Sequence, residues 1–192
     1  MEQSITVTGE NLKALTHPLR VRILGMLRTH GPATATMLAE QLGLTSGALS
    51  YHLRRLERYG FIVEDEARGN DRDRWWRAAH RLTFFDPLSL DPATAEAGET
   101  FERNIAAWLE ARLVRALDER RDWPEEWRPA LTASDVLLDL TADQARALEN
   151  EILAVLERYP THDPAAAQPA GTRCVGAAFQ IVPITPAADR TP

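Results

Sequence analysis

Between Thr34 and Gly60 the chain lays out two short amphipathic helices with almost nothing between them. The first, capped by Thr34 or Thr36, turns Met37, Leu38 and Leu42 inward and ends with Gly43 in the C′ position. Only Leu44 then separates Gly43 from Thr45, the N-cap of a helix that runs to Tyr59 and is closed by Gly60. Two helices joined by so short a glycine-containing turn form a helix-turn-helix unit. Upstream, Leu12 and Leu15 make a brief helical stripe that stops at His17-Pro18. A further helix, with Leu19, Ile23, Leu24 and Leu27 on one face, is stopped by Gly31-Pro32. Downstream the period changes to that of a strand. Phe61-Ile62-Val63 begins one, Trp75-Trp76 sits in its partner, and Gly69-Asn70 turns between them. Adjacent strand residues face opposite ways, so at least one of the two tryptophans belongs to the core. A hairpin directly after a helix-turn-helix is a wing, and residues 10–82 read as a winged-helix module.

Asp86-Pro87 and Asp91-Pro92 break the pattern and mark a boundary before a second region, residues 92–192. Asp91-Pro92 reads as the cap and first residue of a long helix over 92–121, with Gly98 a candidate break in its first turns. Phe101, Ile105, Trp108, Leu109, Leu113 and Leu117 line one face of it. Val136, Leu138 and Leu140 alternate with Asp135 and Asp139, as a half-buried strand does. Thr141 and Gln144 form a capping box for a helix burying Ala145, Leu148, Ile152, Val155 or Leu156, and Tyr159. Residues 161–173 read as a Pro- and Ala-rich loop, and Val175–Ile184 as a last strand. The expected fold is mainly α with small β: a winged helix-turn-helix, a long dimerisation helix and a small C-terminal β-α-β unit over 134–184. That unit is too small to cover the whole apolar stripe. Phe101, Ile105, Trp108 and Leu113 are therefore expected to pack against a second copy about a two-fold axis.

At 192 residues the chain can bury a core without staples, and its single cysteine, Cys174, excludes an intrachain disulfide and a multi-thiolate metal site. No apolar run reaches the ~18 residues of a membrane span. The start lacks a basic-then-apolar leader pattern, which gives the expectation of a soluble, cytoplasmic protein. The net charge of −6 is unevenly spread. Residues 10–82 hold 12 Lys and Arg against 8 Asp and Glu, whereas residues 83–192 hold 10 against 19. A basic front and an acidic back give the first module an electrostatic footprint. There is no glycine-rich phosphate loop, Gly-x-Ser-x-Gly elbow or His-Glu-x-x-His helix, so no enzyme, cofactor or metal site is expected.

On the helix opened by Thr45, Leu49, Leu53 and Leu56 share one face and Ser46, Gly47, Ser50, Tyr51, Arg54 and Arg58 lie away from it. Small hydroxylic residues near the N-terminus permit close approach to a base edge or phosphate, and the helix dipole favours anions there. The arginines reach phosphates or the O6/N7 edge of guanine. Together with Thr45, these residues make the surface wanted on a helix lying in the major groove of double-stranded DNA. Arg68 and Arg72 on the wing are placed for phosphate or the minor groove. For Arg74 the interleaved Asp71 and Asp73 offer ion pairing as an equal account. The alternative is a winged helix used as a protein-interaction module, whose surface would be aromatic and apolar at its centre. His52 lies beside the leucines and reads as a packed, hydrogen-bonded histidine rather than a switch or ligand. Trp108, Trp123 and Trp127 could line a pocket for a small-molecule effector, with core packing the plainer reading.

The string His17-Pro18-Leu19-Arg20-Val21-Arg22-Ile23-Leu24 resembles the opening of the ArsR-type winged-helix regulators of bacteria. Leu38-Ala39-Glu40 with Leu42-Gly43-Leu44, Ser50-Tyr51-His52-Leu53-Arg54-Arg55-Leu56 and Tyr59-Gly60-Phe61-Ile62 extend the resemblance over residues 10–80. It implies a homodimeric, sequence-specific DNA-binding transcription regulator, usually a repressor, with Thr45–Tyr59 as recognition helix and Glu66–Arg74 as wing. Where classical members carry metal-sensing cysteines, this chain reads Ala33-Thr34-Ala35-Thr36. His162-Asp163 supplies only part of a second kind of site.

Overall fold

The computed structural model describes residues 2–69, 73–85 and 90–184. The chain divides into two compact units, one of Met1–Asp122 with Asp163–Thr172 and one of Trp123–His162 with Arg173–Pro192.

The first unit opens with strand β1 (Glu2–Val7) and a 3-10 turn at Asn11–Ala14, where the sequence suggested only a helical stripe. Helix α1 (Pro18–His30) starts at proline, whose fixed φ and missing N–H suit a first helical position. Its N-cap is His17, whose Nδ1 accepts the Leu19 N–H at 3.1 Å. It stops at Gly31, where φ is +88°, a value that glycine adopts without strain. The two-residue β2 (Ala33–Thr34) leads into α2 (Ala35–Leu42), capped by Thr34. Gly43 follows in the left-handed conformation, and α3 (Ser46–Arg58) is capped by Thr45. This is the helix-turn-helix the sequence specifies. Leu49, Leu53 and Leu56 are fully buried and hold α3 against Ile23, Leu27 and Leu38 in one core. Met37 departs from expectation. It is 38% exposed, because Leu38 and Ala39 fill the inward positions of so short a helix.

Strands β3 (Ile62–Glu64) and β4 (Trp75–Ala78) form the wing, and β2 joins the far edge of β4 to give the order β2-β4-β3. Trp76 is buried and Trp75 half-buried. Strand β5 (His80–Phe85) then leaves this sheet and pairs in parallel with β1, Glu2 facing His80 and Val7 facing Phe85. Arg28 joins α1 to β5. Its Nε donates to the His80 carbonyl and a terminal nitrogen to Thr83 Oγ1, both at 2.9 Å. Burial lowers its pKa to about 10, so it remains charged at neutral pH. Replacing Arg28 by methionine is expected to cost about 2–3 kcal/mol, because two charge-assisted bonds in a part-buried site are lost. Urea denaturation at pH 7 measures it.

Helix α4 (Ala95–Glu119) begins one turn later than the sequence suggests. Asp91 caps a preceding turn instead, accepting the N–H and hydroxyl of Thr94, and these bonds hold its carboxyl below the usual range. Gly98 does not break the helix but lets it approach the core. A Cβ there would lie 2.5 Å from Leu90 Cδ1 and 3.2 Å from Phe85 Cζ. Phe101 is buried edge-on against Phe85, and the side-chain nitrogen of Asn104 donates to the Leu15 carbonyl. Trp108 covers Gly25 of α1 so closely that a Cβ on that glycine would meet its ring at 2.6 Å. Further along, Leu113, Val114 and Leu117 are 40–50% exposed.

In the second unit α5 (Ala142–Leu156) carries the expected capping box, Thr141 and Gln144 each accepting the other's backbone N–H. The β-α-β expectation for 134–184 is corrected, since residues 134–140 and 175–184 form no strands. Alternation makes a strand only where a neighbour completes the ladder and covers one face. Among the described residues neither segment has one, and Val136, Leu137 and Leu138 are 72%, 76% and 55% exposed. On α5, Ala145, Leu148 and Ile152 are half-buried, but Val155 and Leu156 are exposed, as is Tyr159 beyond its end. No helix among the described residues is long and apolar enough to cross a membrane.

Candidate nucleic-acid interface

With its leucines turned to the core, α3 presents the opposite side to solvent. Thr45, Ser46, Gly47, Tyr51, Arg54 and Arg58 are all exposed and Ser50 half-exposed. Thr45 Oγ1 accepts the Ala48 N–H at 3.3 Å, and Ser50 donates its hydroxyl proton to the Ser46 carbonyl at 2.9 Å. Tyr51, 56% exposed, stands edge-on to His52. Among the described residues Arg54 has no ion pair, and Arg58 reaches only the ring of Tyr59. Two of the arginines thus face solvent with no carboxylate of the described residues engaged.

The fold brings the start of α2 and the base of the wing to the same side. An open cleft of about 290 Å³ is lined by Thr34 and Thr36, by Ser50 and Arg54, and by Asp73, Arg74 and Trp76. From the sequence, Thr34 and Thr36 are expected as caps and as the residues standing where classical ArsR-type members carry metal-sensing cysteines, not as part of this surface. Hydroxyls at the first turn of the helix preceding the recognition helix were the signal that could have placed them here. Arg74 pairs with Glu64 at 2.9 Å and lies over Trp76, so ion pairing accounts for part of its position. Arg68 sits 3.6 Å from Asp65, with its guanidinium over Trp75, and both arginine side chains are more than half exposed. Arg72, the other wing arginine of interest, lies outside the described residues.

The remaining candidates fall elsewhere. Asp163 pairs with Arg81 at 2.9 Å. Cys174 is exposed. Of the residues expected at a dimer interface, Phe101 is spent on the chain's own core, Ile105 and Trp108 pack on its edge, and Leu113 is exposed. His52 departs from the expectation of a hydrogen-bonded histidine at its buried Nδ1, which has no partner among the described residues.

Residues 15–65 match the helix-turn-helix domain family. Over 65 residues the chain is 40% identical to the HTH-type transcriptional regulator NmtR of Mycobacterium tuberculosis, a match covering 34% of this chain. The chain spans about half of that relative's length, 53%. Similar solved structures include reduced HlyU from Vibrio cholerae, at 24% identity, covering 48% of this chain and 81% of that one, with a TM-score of 0.32. ZitR from Lactococcus lactis, in its C30AH42A apo form, matches at 15% identity over 78% and 84% of the two chains, with a TM-score of 0.32. The N-terminal module, a helix-turn-helix followed by a wing, is thus similar to the helix-turn-helix domain of known transcriptional regulators.

Proposed function

We propose that this protein is a DNA-binding transcription regulator, acting as a homodimeric repressor on a pseudo-palindromic operator. The observation that carries the reading is the solvent face of α3. It is small and hydroxylic at its start and arginine-bearing further on, with a cleft beside it that also holds Arg74. Such a surface can approach the major groove without an apolar centre to desolvate. The module's excess of Lys and Arg draws it to phosphate, and the acidic remainder of the chain belongs away from the duplex. Dimerisation is supported by Leu113, Val114 and Leu117, which stay 40–50% exposed. Repression follows from the resemblance to ArsR-type regulators.

Fluorescence anisotropy with duplexes from the protein's own promoter region and with random duplexes tests this. Specific binding should exceed random binding, and both should weaken steeply as salt rises, because bound arginines release counterions. Arg54→Ala is expected to lower specific affinity by about 1–3 kcal/mol while changing random binding far less, if its guanidinium reads a base. Arg68→Ala should weaken both duplexes modestly and alike, as a phosphate contact shared with Asp65 would. Absence of any duplex binding at low salt would transfer the module to protein interaction.

A further inference from the structure

We propose that the contact between His17 and His52 is an acid-labile joint that fastens the recognition helix α3 to the start of α1. The two rings lie 4.6 Å apart between centroids, tilted by 59°. One caps α1 and the other sits in the middle of α3, so the pair bridges the helix that anchors the module and the helix that presents Arg54.

Both imidazoles are suited only to the neutral state. His17 caps α1 through the lone pair of Nδ1, which accepts the Leu19 N–H. A proton added to His17 goes to that nitrogen, since in this tautomer Nε2 already carries one, and the cap bond is then lost. The Nδ1 of His52 is buried with no hydrogen-bond partner among the described residues, so a proton there would be a buried donor with no acceptor among them. Among the described residues the surroundings add positive charge. From α1 comes Arg20, itself buried, whose guanidinium donates to the carbonyls of Lys13 and Ala14. From α3 come Arg55, whose Nε is buried without a hydrogen-bond partner among the described residues, and the phenol of Tyr51, and from its C-cap that of Tyr59. Burial lowers the pKa of both histidines. For His17 the Arg20 charge acts next, and for His52 the charges of His17 and then Arg20.

With folded-state values below the ordinary 6.5, the unfolded chain binds more protons in the intervening range. Stability is therefore full above about pH 6.5 and falls as pH drops below that, until both rings are charged. A loosened α1 start and a shifted α3 would weaken DNA binding in the same range, a consequence resting on the proposed function; the effect on folding does not.

The test compares the full-length protein with a His17→Asn/His52→Gln double variant, asparagine being chosen because it still caps α1. Urea unfolding is followed from pH 7.5 to 5.5, and the imidazole resonances are titrated in parallel. The folded-to-unfolded ratio of the wild type should fall about five-fold more than that of the double variant. Both imidazoles should titrate below the ordinary histidine value. Equal pH slopes in the two proteins, or either ring titrating at or above that value, overturns the joint. If the double variant is too unstable to compare, the ring titrations in the wild type decide alone. Duplex binding measured alongside separates the two ideas: a missing affinity for DNA with an intact pH difference in folding overturns only the DNA reading.

Discussion

Gly25→Val should lower the stability of the first unit by about 3 kcal/mol and detach the middle of α4 from α1. Even a Cβ at residue 25 would stand 2.6 Å from Trp108 Cζ2 and 2.8 Å from Cε2, which are rigid ring atoms rather than the end of a flexible chain. Overpacking a well-filled contact costs about 1–3 kcal/mol, and displacing the indole forfeits a further ~1.5–3 kcal/mol of its burial. Alanine at the same position is a milder probe, because its helix propensity exceeds that of glycine by about 1 kcal/mol and offsets part of the clash. Chemical denaturation gives the magnitude, and combining Gly25→Ala with Trp108→Ala isolates the pair. If the collision is the cause, the double variant should be more stable than the sum of its singles implies. A Gly25→Val protein with unchanged denaturation midpoint would remove the close contact from the account of how α4 is held.

Leu113→Glu combined with Leu117→Glu should convert the proposed dimer to monomers and lower operator affinity by two or more orders of magnitude. Phe101 and Trp108 engage the core of their own chain, whereas Leu113, Val114 and Leu117 remain 40–50% exposed one to three turns beyond. Dimerisation through that end of α4 leaves the winged helix intact. The variant should therefore keep its far-UV spectrum and its affinity for random duplex. What it loses is the second half-site, which in a two-fold complex is bound at high effective concentration once the first is engaged. Sedimentation velocity at micromolar concentration and anisotropy on a symmetric duplex measure the two effects. A wild-type protein that sediments as a monomer under those conditions would sink the assembly.

What could be read before the structure was local in sequence. Thr34, Gly43, Thr45 and Gly60 punctuate the helices through backbone chemistry that needs no distant partner, and those helices stand where that punctuation puts them. The solvent face of α3 followed from the same periodicity. Features that depend on remote partners were missed. Ile5 and Val7 alternate, but β1 becomes a strand only through β5, more than seventy residues away. Gly98 looked like a helix breaker because nothing in its neighbourhood announces Leu90 and Phe85 pressing against it. The reverse error occurred at Val136–Leu140, where the alternation is present and the pairing is not. For Trp108 the sequence allows both a partner subunit and core packing, and the contact it makes, Gly25, has no side chain to announce it.

The parallel ladder of β1 and β5 has a kinetic side. The helix-turn-helix closes through contacts a few residues to a few tens of residues apart, whereas the β1–β5 pairing must wait until nearly the whole module has been gathered. Phe101 packs on Phe85 of β5, so the docking of α4 inherits that delay. A chain leaving the ribosome can therefore assemble the surface that carries Arg54 before it has a completed scaffold for α4. If α4 is what joins two copies, each subunit would acquire its proposed means of touching a duplex before its means of finding a twin.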